Sequence, residues 1–115
     1  MAVRASQPRQ HLQRPDWFGK HPDAKWNPAG QRLTQRAELA AAYHQHLAAC
    51  QVRRILDERR IPIPQFARQL GITTDTLRRK LRGEAWVRYD ELLAWALELG
   101  IEILPAPDST DDLLP

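Results

Sequence analysis

The sequence predicts an all-α protein: one long helix and three short ones, flanked by an extended N-terminal arm and a possible short strand near the C-terminus. Three observations carry that prediction. Between Arg32 and Arg60 the chain is rich in Ala, Leu, Gln, Arg and Glu, the residues that lose least on entering a helix. Ala37, Ala40/Ala41, His44, Leu47/Ala48, Val52 and Ile55/Leu56 recur there at three- and four-residue steps, the period of one helical face. Beyond Arg60, prolines and glycines punctuate the chain at intervals that leave room only for helices of about two or three turns.

Taken in order, residues 1–27 read as an extended basic arm. It carries Arg4, Arg9, Arg14, Lys20 and Lys25 and shows no helical period. Trp17, Phe18 and Trp26 are too apolar for a purely solvated tail and are expected to pin part of it to the body. Asn27-Pro28 has the form of a helix start, an N-cap residue followed by proline at the first helical position. The long helix that follows is read as one piece, or as two with a break near residues 44–49. "IPIP", Ile61–Pro64, ends it, because each proline disfavours helix in the residue before it. A short helix over Ile63–Leu70 is expected to turn Phe66, Ala67 and Leu70 inward. Gly71 breaks it, Thr73 caps the next helix, and Gly83 closes that one. The last helix spans about Tyr89–Leu99 and stops at Gly100. "IEIL", Ile101–Leu104, alternates like a strand, and residues 105–115 read as an acidic, flexible tail.

Composition limits the possible functions. At 115 residues, 43% of them apolar, the chain suffices for one domain with a small core. Its net charge of +3 is distributed unevenly. Residues 1–60 hold a balance of +6 and residues 61–115 a balance of −3, with all six basic residues of the second part between Arg68 and Arg88. Such asymmetry suits a polyanionic partner on one face. Cys50 is the only cysteine, which excludes an intrachain disulfide and a cysteine metal site and points to a reducing setting. With neither a signal-like apolar segment nor a long apolar run, no membrane association is expected, and a cytoplasmic, nucleoid-associated location is. His44 and His46, two apart on a helix, face different ways and do not suggest a metal site. No nucleophile–base arrangement, phosphate-cradling glycine loop or paired-carboxylate cleft is apparent, so neither enzymatic activity nor a cofactor is expected.

The informative stretch is Phe66–Leu81. Two short helices are joined by a tight turn in which Gly71 can adopt positive φ at little cost. Phe66, Leu70, Ile72, Leu77 and Leu81 would share one core, and Ala67 is small where the helices must approach. Those are the requirements of a helix-turn-helix. With its apolar edge fixed inward, the second helix turns Thr74, Asp75, Arg78, Arg79 and Arg82 outward. A helix fits the DNA major groove, where arginine donates a bidentate pair to guanine and threonine can touch a thymine methyl.

"FARQLGITTDTLRRKLRGE", followed by "RYDELLAWALELGI", resembles the lambda-repressor-like, or XRE-type, helix-turn-helix family in the form common in actinobacterial regulators. The likeness covers roughly Val52 to Ile101. It rests on Ala67, Leu70-Gly71-Ile72, Thr73, Leu77, Arg79–Gly83, Asp90-Glu91-Leu92, Ala96 and Leu99-Gly100-Ile101 in order and at the right gaps. The resemblance implies a helix-turn-helix DNA-binding domain over residues 28–104, with the motif at 63–83. It also implies sequence-specific binding of double-stranded DNA by a homodimer on a palindromic site, for transcriptional control. On that reading Thr74, Asp75, Arg78 and Arg79 face base edges, with Asp75 holding Arg78 or Arg79 in place. Gln65, Arg68, Thr73, Lys80, Arg82 and Arg88 face phosphates, and Arg53, Arg54, Arg59 and Arg60 add positive field. The chain departs from the family at three positions. Pro62 replaces a Ser/Thr cap, Ile63 replaces a phosphate-touching Gln, and Lys80 stands where an aliphatic core residue is usual and is expected to snorkel outward.

Leu93 and Leu97 lie on a second face of the last helix, which relatives keep polar. They are expected to pack against the long helix or against a second subunit, and Leu93, Leu97, Ile101 and Ile103 are assigned to a homodimer interface. The alternative function is a protein-interaction module, an antitoxin or adaptor that grips a partner protein through the long helix, Trp17, Phe18, Trp26 and the acidic tail.

Overall fold

The computed structural model describes residues 7–102. Arg4, Ile103, Leu104 and the acidic tail at 105–115 lie outside the described residues. The order is two short 3₁₀ turns, Pro8–His11 and Pro15–Trp17, then α1 (Leu33–Glu58), α2 (Ile63–Leu70), α3 (Thr74–Leu81) and α4 (Tyr89–Leu99). The described residues contain no strand; Ile101 and Glu102 are irregular.

The long helix is continuous. Its 26 residues span about 39 Å at ~1.5 Å per residue, which accounts for most of the 41 Å long axis of the molecule. It starts at Leu33, five residues after Pro28, because Asn27 is engaged elsewhere. The Asn27 side-chain amide donates to the Gln10 and Leu12 carbonyls at 3.2 and 3.3 Å, and its backbone N–H donates to His11 O at 2.8 Å. At the actual start the Gln35 side chain accepts from the Arg32 backbone N–H at 3.2 Å.

All four helices close their C-termini in the same way. A residue in the left-handed region follows the last turn, and the next N–H reaches back five residues: Ile61 to Leu56, Ile72 to Ala67, Glu84 to Arg79 and Ile101 to Ala96, at 2.8–3.0 Å. This geometry satisfies carbonyls that the helix leaves orphaned. Three of the left-handed positions are glycines, Gly71, Gly83 and Gly100; the fourth is Arg60 at φ 56°. At the other end of α3, the Thr73 hydroxyl accepts from the Thr76 N–H at 3.2 Å. The start of α2 has no side-chain cap, as Pro62 requires; the Gln65 and Phe66 N–H groups bond instead to the Pro62 carbonyl.

One core joins all four helices. Val52, Ile55 and Leu56 of α1, Phe66 and Ala67 of α2, Leu77 and Leu81 of α3, and Leu92, Trp95 and Leu99 of α4 are all buried in it. Leu70 and Ile72 pack at its edge. Upstream of Ala48 the buried face of α1 differs from the expected stripe. Ala42, Gln45 and His46 are buried, whereas His44 and Leu47 are half-exposed.

The cause of that shift is the N-terminal segment, which is folded onto α1 from residue 7 to residue 27 and is not an extended arm. Leu12 and Phe18 are 1% exposed. The segment doubles back on itself through an antiparallel bridge between Leu12 and Trp26 and a Gln13 N–H bond to Lys25 O at 3.0 Å. Trp26 packs against Tyr43 and edge-on against His46. Phe18 also meets His46 edge-on and covers Gly83, where any Cβ would fall 2.6 Å from its ring. Gly19, at φ +73°, lies so close to the end of α3 that a Cβ would sit 2.2 Å from the Leu81 carbonyl oxygen.

His46 is the post to which this segment is tied. Its Nδ1 accepts from the Gly19 N–H at 2.9 Å, so Nε2 carries the proton and donates to the His21 carbonyl at 2.9 Å. Burial lowers its pKa; the His21 bond opposes that only in part. Because the folded pKa lies below the ordinary value near 6.5, the unfolded chain takes up the proton first. The contribution is therefore fully present above the unfolded pKa and is lost as pH falls towards the folded one. Burial lowers the pKa of His44 in the same direction. Urea unfolding at about pH 7.5 and about pH 5.5 is expected to show lower stability at the acid value. His46→Gln, which cannot titrate, is expected to lose part of that dependence, and an unchanged dependence would remove His46 from this role.

Candidate nucleic-acid interface

The outward side of α3 is where the sequence-assigned residues come together. Asp75, Arg78 and Arg79 are exposed and Thr74 is half-buried, while Leu77 and Leu81 hold the opposite edge in the core. Arg78 and Arg82, one turn apart, share a face. Among the described residues no carboxylate pairs with Arg78 or Arg79. Asp75 therefore does not brace either arginine, contrary to expectation; its place in the first turn of α3 sets it against the helix N-terminus, where a negative charge is favourable.

The residues assigned to phosphates separate into two groups. Gln65 and Arg68 are exposed on α2 and make no described side-chain bond or ion pair, and Arg82 is exposed with its Nε 2.6 Å from a Glu84 carboxylate oxygen. Arg88 is 77% exposed but forks onto Asp90 at 3.0 and 3.1 Å, which raises its pKa and lowers that of the carboxyl. Thr73 spends its hydroxyl locally, accepting from the Thr76 N–H and donating to the Thr76 hydroxyl at 2.8 Å. Lys80 does not snorkel outward. Its ammonium pairs with Glu91 on α4, with side chains only 15% and 22% exposed. Burial raises the pKa of the Glu91 carboxyl, but the Lys80 hydrogen bond, the Arg88 backbone N–H and the two cations together bring it below its ordinary value. The correction has a simple physical basis. A lysine in a near-core position needs an anion within reach, and Glu91 in the first turn of α4 supplies one.

Of the arginines expected only to add field, Arg59 is structural, donating to the Leu99 carbonyl at 2.9 Å and tying the ends of α1 and α4 together. Arg54 forms an exposed i,i+4 pair with Glu58 at 3.5 Å, a contact of small energetic weight. Arg53 is half-buried, and its Nε has no partner among the described residues.

Gln45 is the positioning residue that the sequence reading missed. Fully buried, its amide nitrogen donates to the Lys80 and Ala85 carbonyls, both at 2.9 Å, and its oxygen accepts from the Val87 N–H at 3.0 Å. One side chain thus fixes the end of α3 and the loop to α4 against α1. The signal available in the sequence was a lone amide in an otherwise Ala- and Leu-rich stretch, three residues before Ala48.

On α4, Leu93 is 39% and Leu97 83% exposed, so the long helix does not cover them. With Ala96, Gly100 and Ile101 they line an open apolar groove. Ile103, assigned to the same interface, is outside the described residues. The residues named for the alternative reading are largely used up: Phe18 is buried, and Trp17 and Trp26 pack against the core.

Replacing Gln45 by Leu is expected to cost about 2–3 kcal/mol, because it leaves the partly buried Ala85 carbonyl and Val87 N–H without their partner and the Lys80 carbonyl with only its Gly83 bond, and urea unfolding measures the loss. Lys80→Gln is expected to lower stability by about 2 kcal/mol, less than the ~3–5 of a fully buried broken pair, while leaving the salt dependence of any DNA binding unchanged. No protein-family model matches the chain, and neither does any curated protein or solved structure.

Proposed function

We propose that this protein is a sequence-specific, double-stranded-DNA-binding transcriptional regulator of the lambda-repressor-like helix-turn-helix type. In this reading α2, the turn at Gly71–Thr73 and α3 form the motif, and α3 enters the major groove. One observation carries it: the exposed face of α3 presents Arg78 and Arg79 without acidic partners among the described residues, on a helix whose other edge is locked into the core by Leu77 and Leu81. Free guanidinium forks on a rigid helix are what bidentate reading of guanine requires. The proposed activity is binding, not catalysis. Thr74 and Asp75 lie on the same side, towards the N-terminal turn that reaches deepest in such complexes. Arg68, Gln65 and Arg82 are the remaining candidates for backbone phosphates; Lys80 and Thr73, already bonded within the chain, are not.

The palindromic site implied by this reading needs two copies, and the Leu93–Leu97–Ile101 groove supplies an apolar surface for a homodimer. The same groove also serves a protein-interaction role, in which the aromatic residues of the N-terminal segment, packed in or against the core, take no part.

Sites selected from sheared genomic DNA provide the test. Arg78→Ala and Arg79→Ala are each expected to weaken binding to a selected site by about 1–3 kcal/mol and to relax its sequence preference; equal losses on selected and random duplexes would reject the base-reading role. For the dimer, Leu93→Asp/Leu97→Asp is expected to halve the mass seen by light scattering, and an unchanged mass would reject the interface.

A further inference from the structure

Arg53 is a half-buried arginine whose Nε has no partner among the described residues. It projects from α1 with that Nε closed off from solvent. Gly19 of the N-terminal segment lies over it, a Cβ there falling 3.4 Å from that nitrogen. From the other side comes Arg82, at the end of α3. Burial first, and the Arg82 charge second, lower the pKa of the Arg53 guanidinium. The group that pulls the other way is Cys50, but its own thiol is pushed up to about 11 by burial and is neutral at physiological pH. His46, which touches Cys50, is neutral there too. The Glu84 carboxylate nearby is taken by Arg82. The carbonyl end of α3 offsets only part of a unit charge.

The Gly19 position that lies against the Leu81 carbonyl also lies against Arg53 Nε, so the half-buried guanidinium of α1 stands at the end of α3 beside Arg82, two cations held together against their repulsion. Such an arrangement is completed by an anion with several acceptor oxygens. We propose that Arg53 and Arg82 form a phosphate-binding site, and that its ligand is a backbone phosphate of the duplex read by α3. The second clause rests on the DNA-binding reading above. Arg82 stands one turn beyond Arg78 on the same face, so a strand lying along that face passes the site. The N-terminal segment is then a working part of the DNA surface. By seating Gly19 against Leu81 and His46, it shields Arg53 from water.

Binding of duplex DNA measured over a salt series tests the site. In Arg53→Gln the slope of log K against log salt is expected to be shallower by about 0.9, the value of one lost phosphate contact. The loss should be equal on selected and random DNA, unlike that of Arg78→Ala. Arg53→Lys, which keeps the charge, is expected to keep the slope. A folded Arg53→Gln with the wild-type slope overturns the proposal. A titration of the wild-type protein with inorganic phosphate, followed by NMR at the Arg53 Nε–H and the Gly19 amide, is independent of both that variant's folding and the DNA reading. If DNA does not bind at all, the DNA reading fails and this titration alone decides. Saturable shifts at both protons support the anion site; their absence overturns it.

Discussion

The Gln45 amide makes three hydrogen bonds from the middle of α1, and the placing of α3 rests on them. Lys80 and Ala85 offer carbonyls and Val87 an N–H, all in the stretch where α3 ends and the chain turns towards α4. A buried amide satisfied on both sides is directional in a way that apolar packing is not. The core side chains Leu77 and Leu81 hold α3 against the body but would tolerate sliding along the axis of α1; the amide sets the axial position. His46, the next residue, does the same for the N-terminal segment. Consecutive residues of one helix thus clamp two different parts of the chain, and the clamped parts meet each other where Phe18 covers Gly83 and Gly19 meets the Leu81 carbonyl.

How far the fold was legible follows from the range of the interactions involved. The bounds of α2, α3 and α4 were readable because their signals are local. Pro62 and Pro64 limit what precedes them, Thr73 caps the helix it adjoins, and Gly71, Gly83 and Gly100 take the left-handed conformation at each end. Asn27-Pro28 carries the same local signature and is not used, because a contact with residues 10–12 claims the Asn27 side chain. Arg60 has no such signature and nevertheless closes α1 in the left-handed region, where the bounded position of Ile61 and Pro62 leaves the chain little alternative. The folding of residues 7–27 onto α1 leaves no mark in the sequence pattern, because 3₁₀ turns have no 3.6-residue period and their partners lie many residues away.

The candidate site was legible to a similar degree. The outward face of α3 follows from its apolar edge, and the structure has Arg78 and Arg79 on that face. The partners of the polar side chains do not follow from a helical pattern. Lys80 looked free because Glu91 is eleven residues away and on another helix. Asp75 looked like a brace for its neighbours and pairs with neither. Arg53 looked like one more surface charge until the N-terminal segment was seen to lie across it.

That segment has a consequence for the order in which the chain can mature on the ribosome. Leu12 and Phe18 are synthesised early, but the surfaces that cover them are finished only when Gly83 has emerged. Until Gly83 is made, then, the most buried apolar residues of the N-terminal segment have no completed seat and can meet only α1 or other chains. The pairing of residue 19 with residue 81 closes a long loop, a slow kind of contact to form. The short, local elements α2 to α4 are therefore the ones to assemble first, with the earlier-made residues 7–27 settling onto them last.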